Sequence, residues 1–159
     1  MSHAQNPSEQ LSFVVAAYKE YVANDLDSYF ARFAEDFRRE FLPSTLHAPG
    51  GPKLGEDSKS EFMVNMKASR EFVFTEDFTV EVEDVVEQPG RLVLYSKNRS
   101  TTKIPTYPLF EQDVVHFWDF RSGADGKLQI VRLKEFADSA TVALFGQAVK
   151  DLRRGTPAA

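Results

Sequence analysis

The sequence predicts an α+β fold, because its hydrophobic periodicity changes along the chain. Apolar residues recur at helical spacing up to about residue 70, and with a period of two from there to about residue 136. Helices followed by a run of long strands predict three N-terminal helices packed on a mostly antiparallel sheet. The length of 159 residues fits one domain over 1–159, with its core at about 8–150.

Two short amphipathic helices are predicted at the start of the chain. Asn6 offers a cap side chain and Glu9 follows three residues later, which indicates a helix over about 7–23. Asn24-Asp25 can cap a second helix. The apolar residues at helical spacing in this second helix are Leu26, Tyr29, Phe30 and Phe33.

A short strand, a loop and a third helix follow. In the strand, Phe37, Arg39 and Phe41 alternate with Arg38 and Glu40 up to Pro43. Residues 43–55 contain three Pro and three Gly, which predicts a surface loop. Ser58 and Glu61 form a capping box, so a third helix is expected to begin there.

A hairpin is predicted around Pro89-Gly90, between a strand at 78–83 and one that runs to Thr102. Residues 71–90 carry seven acids and no base, whereas 91–103 carry four bases and no acid. This division favours charge pairing across the hairpin over a binding surface of mixed sign.

The most hydrophobic hairpin joins residues 110–121 to 127–136, and Asp138 can cap a closing helix. One face of its first strand carries Phe110, Gln112, Val114, His116, Trp118 and Phe120. Neither face is cleanly polar, so both are expected to be covered. A homodimer through the face that bears Val115, Phe117 and Ile130 would cover the second one.

Composition excludes several classes of function. A net charge of −5 without a basic patch argues against binding to nucleic acid or to an anionic membrane. The chain has no Cys, and its three His are scattered, so no metal site is expected. It also lacks a phosphate loop and a dinucleotide fingerprint, and no cofactor is predicted. With no signal peptide or membrane span, a cytoplasmic location is expected.

Three segments carry a resemblance to a known family: Phe41–Leu46, Val115–Phe120 and Ile130–Ser139. They resemble the nuclear transport factor 2-like superfamily, and within it the fungal branch of SnoaL-like proteins, which includes polyketide cyclases and isomerases. The resemblance implies a strongly curved sheet wrapped around a helix as a cone-shaped barrel, with a pocket at the open end and a homodimer through the sheet. It implies no single reaction, because this fold supports many activities.

Glu135, His116 and Arg38 are the candidate catalytic residues. Glu135 matches an acidic position that many relatives point into the pocket, and burial would raise its pKa toward neutrality, unless an Arg or Lys pairs with it. His116 is expected next to Glu135 as a proton partner or orienting group, or as a hydrogen-bonded core residue. Arg38 would stabilise an anion at the pocket mouth, or be a solvated charge.

A second set of residues is predicted to shape the substrate cavity. It consists of Tyr107, Phe110, Gln112, Val114, Trp118 and Glu40. Fungal relatives tend to carry tyrosines where this chain has Phe110 and Val114. Their absence favours a non-catalytic protein over a tyrosine-dependent enzyme.

Two functions follow from these observations. The first is a cofactor-independent isomerase, cyclase or dehydratase that transfers protons within a hydrophobic small molecule of secondary metabolism. The alternative is a ligand-binding or dimerisation module that has kept the fold and lost the chemistry.

Overall fold

The structure, a computed structural model, describes residues 8–43 and 56–154. Its elements in chain order are α1 (Glu9–Val22), α2 (Leu26–Ala31), β1 (Phe33–Leu42), β2 (Glu56–Ser58), α3 (Lys59–Phe72), β3 (Thr79–Gln88), β4 (Arg91–Thr101), β5 (Leu109–Ser122), β6 (Leu128–Ala137) and α4 (Ser139–Arg153). The order matches the predicted α+β fold, which is confirmed.

The six strands form one curved, open sheet in the order β2-β1-β6-β5-β4-β3. Every neighbouring pair is antiparallel except β1 and β6, which run parallel. The parallel register sets Arg39 beside Leu133 and Phe41 beside Glu135. This pairing brings together segments that are nearly one hundred residues apart in the sequence.

The first two helices differ in detail from the prediction. Asn6, the expected cap, lies outside the described residues, and α1 begins after Ser8, whose hydroxyl accepts a hydrogen bond from Leu11 N at 3.0 Å. The prediction that Phe33 belongs to the second helix is wrong. Phe33 is the first residue of β1, because it pairs with Ile130 of β6.

The other capping signals are confirmed where the structure describes them, and the charge pairing across the hairpin of β3 and β4 is confirmed in part, since Arg91 and Arg99 pair with Asp119 and Glu111 of β5. Ser58 and Glu61 form the capping box of α3, and Asp138 caps α4. Lys97 Nζ contacts Glu83 Oε1 at 3.0 Å across β3 and β4, as expected from cross-strand charge pairing. The predicted loop at 43–55 lies almost wholly outside the described residues.

Aromatic side chains fill the space between the helices and one face of the sheet. We call the face that carries Trp118 and Leu133 the inner face, and the face that carries Val115 and Phe117 the outer face. Trp118 and Leu133 are fully buried under α1 and α2. The rings packed there include Tyr18, Tyr29, Phe30, Phe33, Phe37 and Phe62.

A β-bulge changes which residues of β6 face inward. The register between β5 and β6 shifts between Asp119 and Phe120, so Phe120 pairs with Ile130 while Asp119 pairs with Arg132. Ile130 is consequently buried in the core. The expectation that Ile130 lies on the outer face is wrong, because simple alternation does not account for the extra residue of a bulge.

No helix within residues 8–43 and 56–154 is long and apolar enough to cross a membrane.

Candidate active site

A cavity of about 310 Å³ lies between the inner face of the sheet and helices α1, α3 and α4. This volume is at the lower end of the range for small-molecule sites. Much of its wall is apolar and includes Phe41, Phe74, Phe78, Phe110, Val142 and Phe145. The charged side chains that line it are Arg39 and Glu135.

Arg39 is the centre of an ion network at this wall. Its Nε donates a hydrogen bond to Glu135 Oε2, and its Nη1 donates to Asp57 Oδ2 at 3.0 Å. The guanidinium lies over the rings of Phe41 and Phe62, with 5.1 and 4.6 Å from Cζ to the ring centres. Nη2 has no hydrogen-bond partner within the described residues, so Arg39 has donor capacity left for a ligand.

The Glu135 carboxyl is ionised rather than protonated. Burial by itself would raise its pKa, but the charge of Arg39 and the contacts with His116 outweigh burial and lower the pKa to about 2. The expectation of a pKa raised toward neutrality is therefore wrong. The alternative expectation, that an Arg or Lys pairs with Glu135, is confirmed, and the cation is Arg39 of the parallel strand β1.

His116 lies behind Glu135 and is not part of the cavity wall. The two residues are directly opposite in the β5–β6 ladder, as predicted, with 3.4 Å between His116 Nε2 and Glu135 Oε1. His116 Nδ1 is 2.7 Å from the hydroxyl of Tyr18, whose pKa is raised by burial. An ionised carboxylate can only accept, so His116 Nε2 is the donor in its contact with Glu135.

The other predicted cavity residues divide into two groups. Phe110 and Gln112 line the cavity together with Glu135. Val114 and Trp118 point to the same inner face but are buried in the core, outside the cavity wall. Tyr107 packs its ring against Phe145 with centroids 5.6 Å apart, so it supports a wall residue instead of contacting the cavity itself.

Arg38 and Glu40 do not reach the cavity. Arg38 Nε is 3.7 Å from Glu56, and Glu40 pairs with Arg132 and Lys134 at 2.9 and 3.1 Å on the outer face. Their expected positions at the pocket are wrong, because strand alternation turns them away from the side that Arg39 occupies.

Several cavity residues were not predicted. Arg39 lies on the same strand face as the buried Phe37 and Phe41, but the sequence analysis did not single it out as a site residue. Tyr21 of α1 also lines the cavity, and its hydroxyl makes no hydrogen bond with the described residues. It places a phenol in the cavity from the helix side, although the strand positions of the family tyrosines hold Phe110 and Val114.

Within the part of the chain that the structure describes, no three His, Asp or Glu side chains come together as metal ligands. His3 and His47 lie outside that part.

Comparison with known proteins gives the fold a name. No family model matches the chain, and no curated protein matches it. Among solved structures, a nuclear transport factor 2-like protein of unknown function from Burkholderia pseudomallei is 18% identical, with a TM-score of 0.65 over 84% of this chain and 94% of that one. The chain has the nuclear transport factor 2-like fold.

Two further structures have names that refer to an activity. IdmH from Streptomyces antibioticus, proposed to be a polyketide cyclase, is 19% identical, with a TM-score of 0.66 over 89% of this chain and all of that one. The BvnE pinacolase from Penicillium brevicompactum is 14% identical, with a TM-score of 0.66 over 89% of this chain and 97% of that one. At these identities the likeness concerns the fold.

Proposed function

We propose that the protein is a cofactor-independent enzyme that transfers a proton within a hydrophobic small molecule bound in the cavity. One observation carries the proposal. An ionised carboxylate, Glu135, lies at the wall of a largely apolar cavity beside a guanidinium with an unused donor. Perturbed carboxylates that combine burial with a specific charged partner in a cleft are typical of catalytic sites.

The two charged groups have complementary roles on a substrate with a carbonyl group. Glu135 Oε1 removes a proton from the carbon next to the carbonyl, and the electron pair of that bond moves onto the carbonyl oxygen. Arg39 Nη2 donates a hydrogen bond to this oxygen as it becomes negative. Return of the proton to another carbon gives an isomer, attack of the carbanion on a second carbonyl closes a ring, and loss of a β-hydroxyl as water gives a dehydrated product.

The low pKa of Glu135 makes it a weak base, and Arg39 compensates for this. The same guanidinium that lowers the basicity of the carboxylate stabilises the enolate and so raises the acidity of the substrate. Both side chains are buried, which strengthens the electrostatic interactions that they make.

His116 and Asp57 are positioning residues in this mechanism. His116 contacts the carboxylate oxygen that is not paired with Arg39, and Tyr18 fixes the His116 ring from behind. Asp57 is buried and holds the far side of the Arg39 guanidinium. Neither residue lines the cavity.

The neighbours in fold support a substrate from secondary metabolism. A proposed polyketide cyclase and a pinacolase both share this fold. By analogy, we propose a substrate of this kind for the present chain. We also propose that the chain belongs to the fungal SnoaL-like branch, acts in the cytoplasm and needs no cofactor.

Exchange of hydrogen for deuterium tests the proposal without knowledge of the natural substrate. The probe is a cyclohexanone that carries a phenyl ring across from the carbonyl, called phenylcyclohexanone below. In deuterium oxide, we expect the wild type to accelerate loss of the α-proton NMR signals, and Glu135→Gln to reduce this rate by roughly 100-fold or more.

Glu40→Gln is the matched control. It makes the same chemical change on the outer face, next to Arg132 and Lys134 instead of Arg39. Its exchange rate should equal that of the wild type. Equal rates for wild type and Glu135→Gln, with the probe shown to bind both, would exclude Glu135 as the base.

The second candidate function is a non-catalytic ligand-binding module. The complete pairing of Glu135 with Arg39, which lowers its pKa, favours this candidate. It predicts saturable binding of phenylcyclohexanone without exchange above the uncatalysed rate.

We also propose a homodimer through the outer face. Val115 and Phe117 are half-buried there, and Phe136 is 50% exposed. Light scattering should give the mass of two chains, and Phe136→Glu should shift it toward that of one chain. A single-chain mass for the wild type at micromolar concentration would exclude the dimer.

A further inference from the structure

A second polar region of the cavity consists of two amide side chains, Asn98 and Gln112. They are directly opposite each other in the β4–β5 ladder, and both line the cavity. We call them the amide pair. The mechanism proposed above uses neither of them.

The amide pair has unused hydrogen-bonding capacity. Asn98 Oδ1 is buried and has no hydrogen-bond partner, and the Gln112 side chain makes no hydrogen bond with the residues that the structure describes. More than nine-tenths of buried polar groups in folded proteins have a partner, and an unpaired one is costly. The missing partner of Asn98 Oδ1 is a donor.

The amide pair is well separated from the reacting groups. Glu135 is opposite His116, which is four residues from Gln112 on β5, so about 13 Å of strand lie between them at about 3.3 Å per residue. Phe41, Val142 and other apolar side chains line the cavity that connects the two regions. A ligand that reaches both regions is elongated, with a polar group at each end.

We propose that the amide pair binds a hydroxyl group of the substrate, remote from the carbon that loses its proton. The hydroxyl donates to Asn98 Oδ1 and accepts from Gln112 Nε2. A carbonyl group cannot donate, and an ammonium group cannot accept. The substrate is thus a neutral, mainly apolar molecule with a carbonyl at one end and a hydroxyl at the other; the assignment of the carbonyl end rests on the proposed function.

Two probes that differ by one hydroxyl test the amide pair by binding alone. The first is phenylcyclohexanone, and the second is the same compound with a hydroxyl in the para position of the phenyl ring. Calorimetry on the wild type should show about tenfold tighter binding of the hydroxylated probe. In Asn98→Ala and in Gln112→Ala, this preference should fall to less than about twofold.

Asn65→Ala is the matched control. Asn65 also lines the cavity, but it is exposed on α3, so its amide is open to solvent and not a buried group without a partner. The hydroxyl preference should persist in this variant. Equal affinity of the two probes for the wild type, a preference that survives both Asn98→Ala and Gln112→Ala, or binding of neither probe would overturn the proposal.

The hydroxyl preference and the deuterium exchange depend on different residues, so they can fail separately. Glu135→Gln should retain the hydroxyl preference, because the carboxyl lies at the other end of the cavity. A preference without any deuterium exchange in the wild type supports the amide pair and rejects the proton-transfer function. Deuterium exchange by the wild type without a preference for the hydroxylated probe supports the proton-transfer function and rejects the amide pair as a hydroxyl site.

Discussion

Two arginines are buried in this protein to the same extent, but their partners differ. Arg39 and Arg70 are each 8% exposed, and each guanidinium lies over two aromatic rings. Arg39 pairs with the carboxylates of Glu135 and Asp57. Arg70 has no carboxylate within ion-pair distance among the described residues.

Arg70 is instead held by the end of α1. It donates to the carbonyl oxygens of Tyr21 and Val22 at 2.7 and 3.0 Å, and to Asn24 Oδ1 at 3.2 Å. These carbonyls carry the partial negative charge of a helix C-terminus, which stabilises a nearby cation. Arg70 thereby joins α3 to α1 through carbonyl and amide oxygens, without a carboxylate among its described partners.

The difference separates the arginine that takes part in the proposed mechanism from the one that only joins two helices. A buried ion pair gives little net stability compared with apolar residues of the same size. Compared with apolar residues in all three positions, the network of Arg39, Glu135 and Asp57 adds little to the fold, yet it keeps a carboxylate charged at the wall of the cavity. Variants of the two arginines should therefore respond differently to pH.

The largest effect is expected for Arg39→Met. It leaves Glu135 and Asp57 buried without their cation, which should lower the free energy of unfolding by about 3–5 kcal/mol at neutral pH. Urea unfolding should show that part of this loss is recovered in acid, because protonation of Glu135 removes its unpaired buried charge. Arg38→Met on the outer face is the control and should cost less than about 1 kcal/mol.

A somewhat smaller effect is expected for Glu135→Gln. The folded-state pKa of about 2 lies below the ordinary value of 4.5, so Glu135 stabilises the fold above pH 4.5 and this stabilisation is lost as the pH falls through 2. This pKa difference corresponds to a contribution to the free energy of unfolding on the order of 3 kcal/mol at neutral pH. In urea unfolding at several pH values, the difference between wild type and variant should shrink toward pH 2; a constant difference would contradict the ion pair.

Arg70→Met should cost about 1–3 kcal/mol, because it removes hydrogen bonds to carbonyl groups but leaves no carboxylate unpaired. Unlike the loss in Arg39→Met, this loss should be the same at neutral and acidic pH. Parallel urea titrations of the two variants make the comparison. If the stability of Arg70→Met returned in acid, a buried carboxylate would have to rely on Arg70 to balance its charge.

The smallest effect is expected for Glu40→Gln. Glu40 and its partners Arg132 and Lys134 are about one-third to one-half exposed, and ion pairs of this kind contribute about 0–1 kcal/mol. The decrease in the free energy of unfolding should become smaller still in high salt, which screens exposed charges. A loss above about 2 kcal/mol would mean that the outer face is more buried in solution, as in a dimer.

The sequence predicted those parts of the site that depend on local pattern. Alternation and a hairpin placed His116 next to Glu135, and the structure confirms the pair. Arg39 was missed because its neighbour Glu135 comes from a parallel pairing of distant segments, which no local pattern reports. Asp57 was missed because it lies in a strand of three residues, too short to show a period.

The remaining errors of the sequence-based prediction come from a β-bulge and from the pairing of strands that are distant in the sequence. The register shift between Asp119 and Phe120 points the Ile130 side chain toward the core. An unbroken period of two along β6 cannot predict this orientation. Of the two alternatives for Glu135, the pairing with an Arg or Lys is confirmed and the raised pKa is wrong, but the sequence did not identify which cation pairs with it. Burial was evident from the sequence, but the charge that outweighs burial came from another strand.

The most direct test of the account is the titration of Glu135 itself. NMR of the isotope-labelled side-chain carboxyl carbons, with Glu135 assigned by its absence in Glu135→Gln, reports the charge of this group at each pH. Pairing with Arg39 predicts an ionised Glu135 carboxyl at every pH above about 4, with a transition near 2. A transition near neutral pH would contradict the pairing with Arg39 and the role of Glu135 as an ionised base.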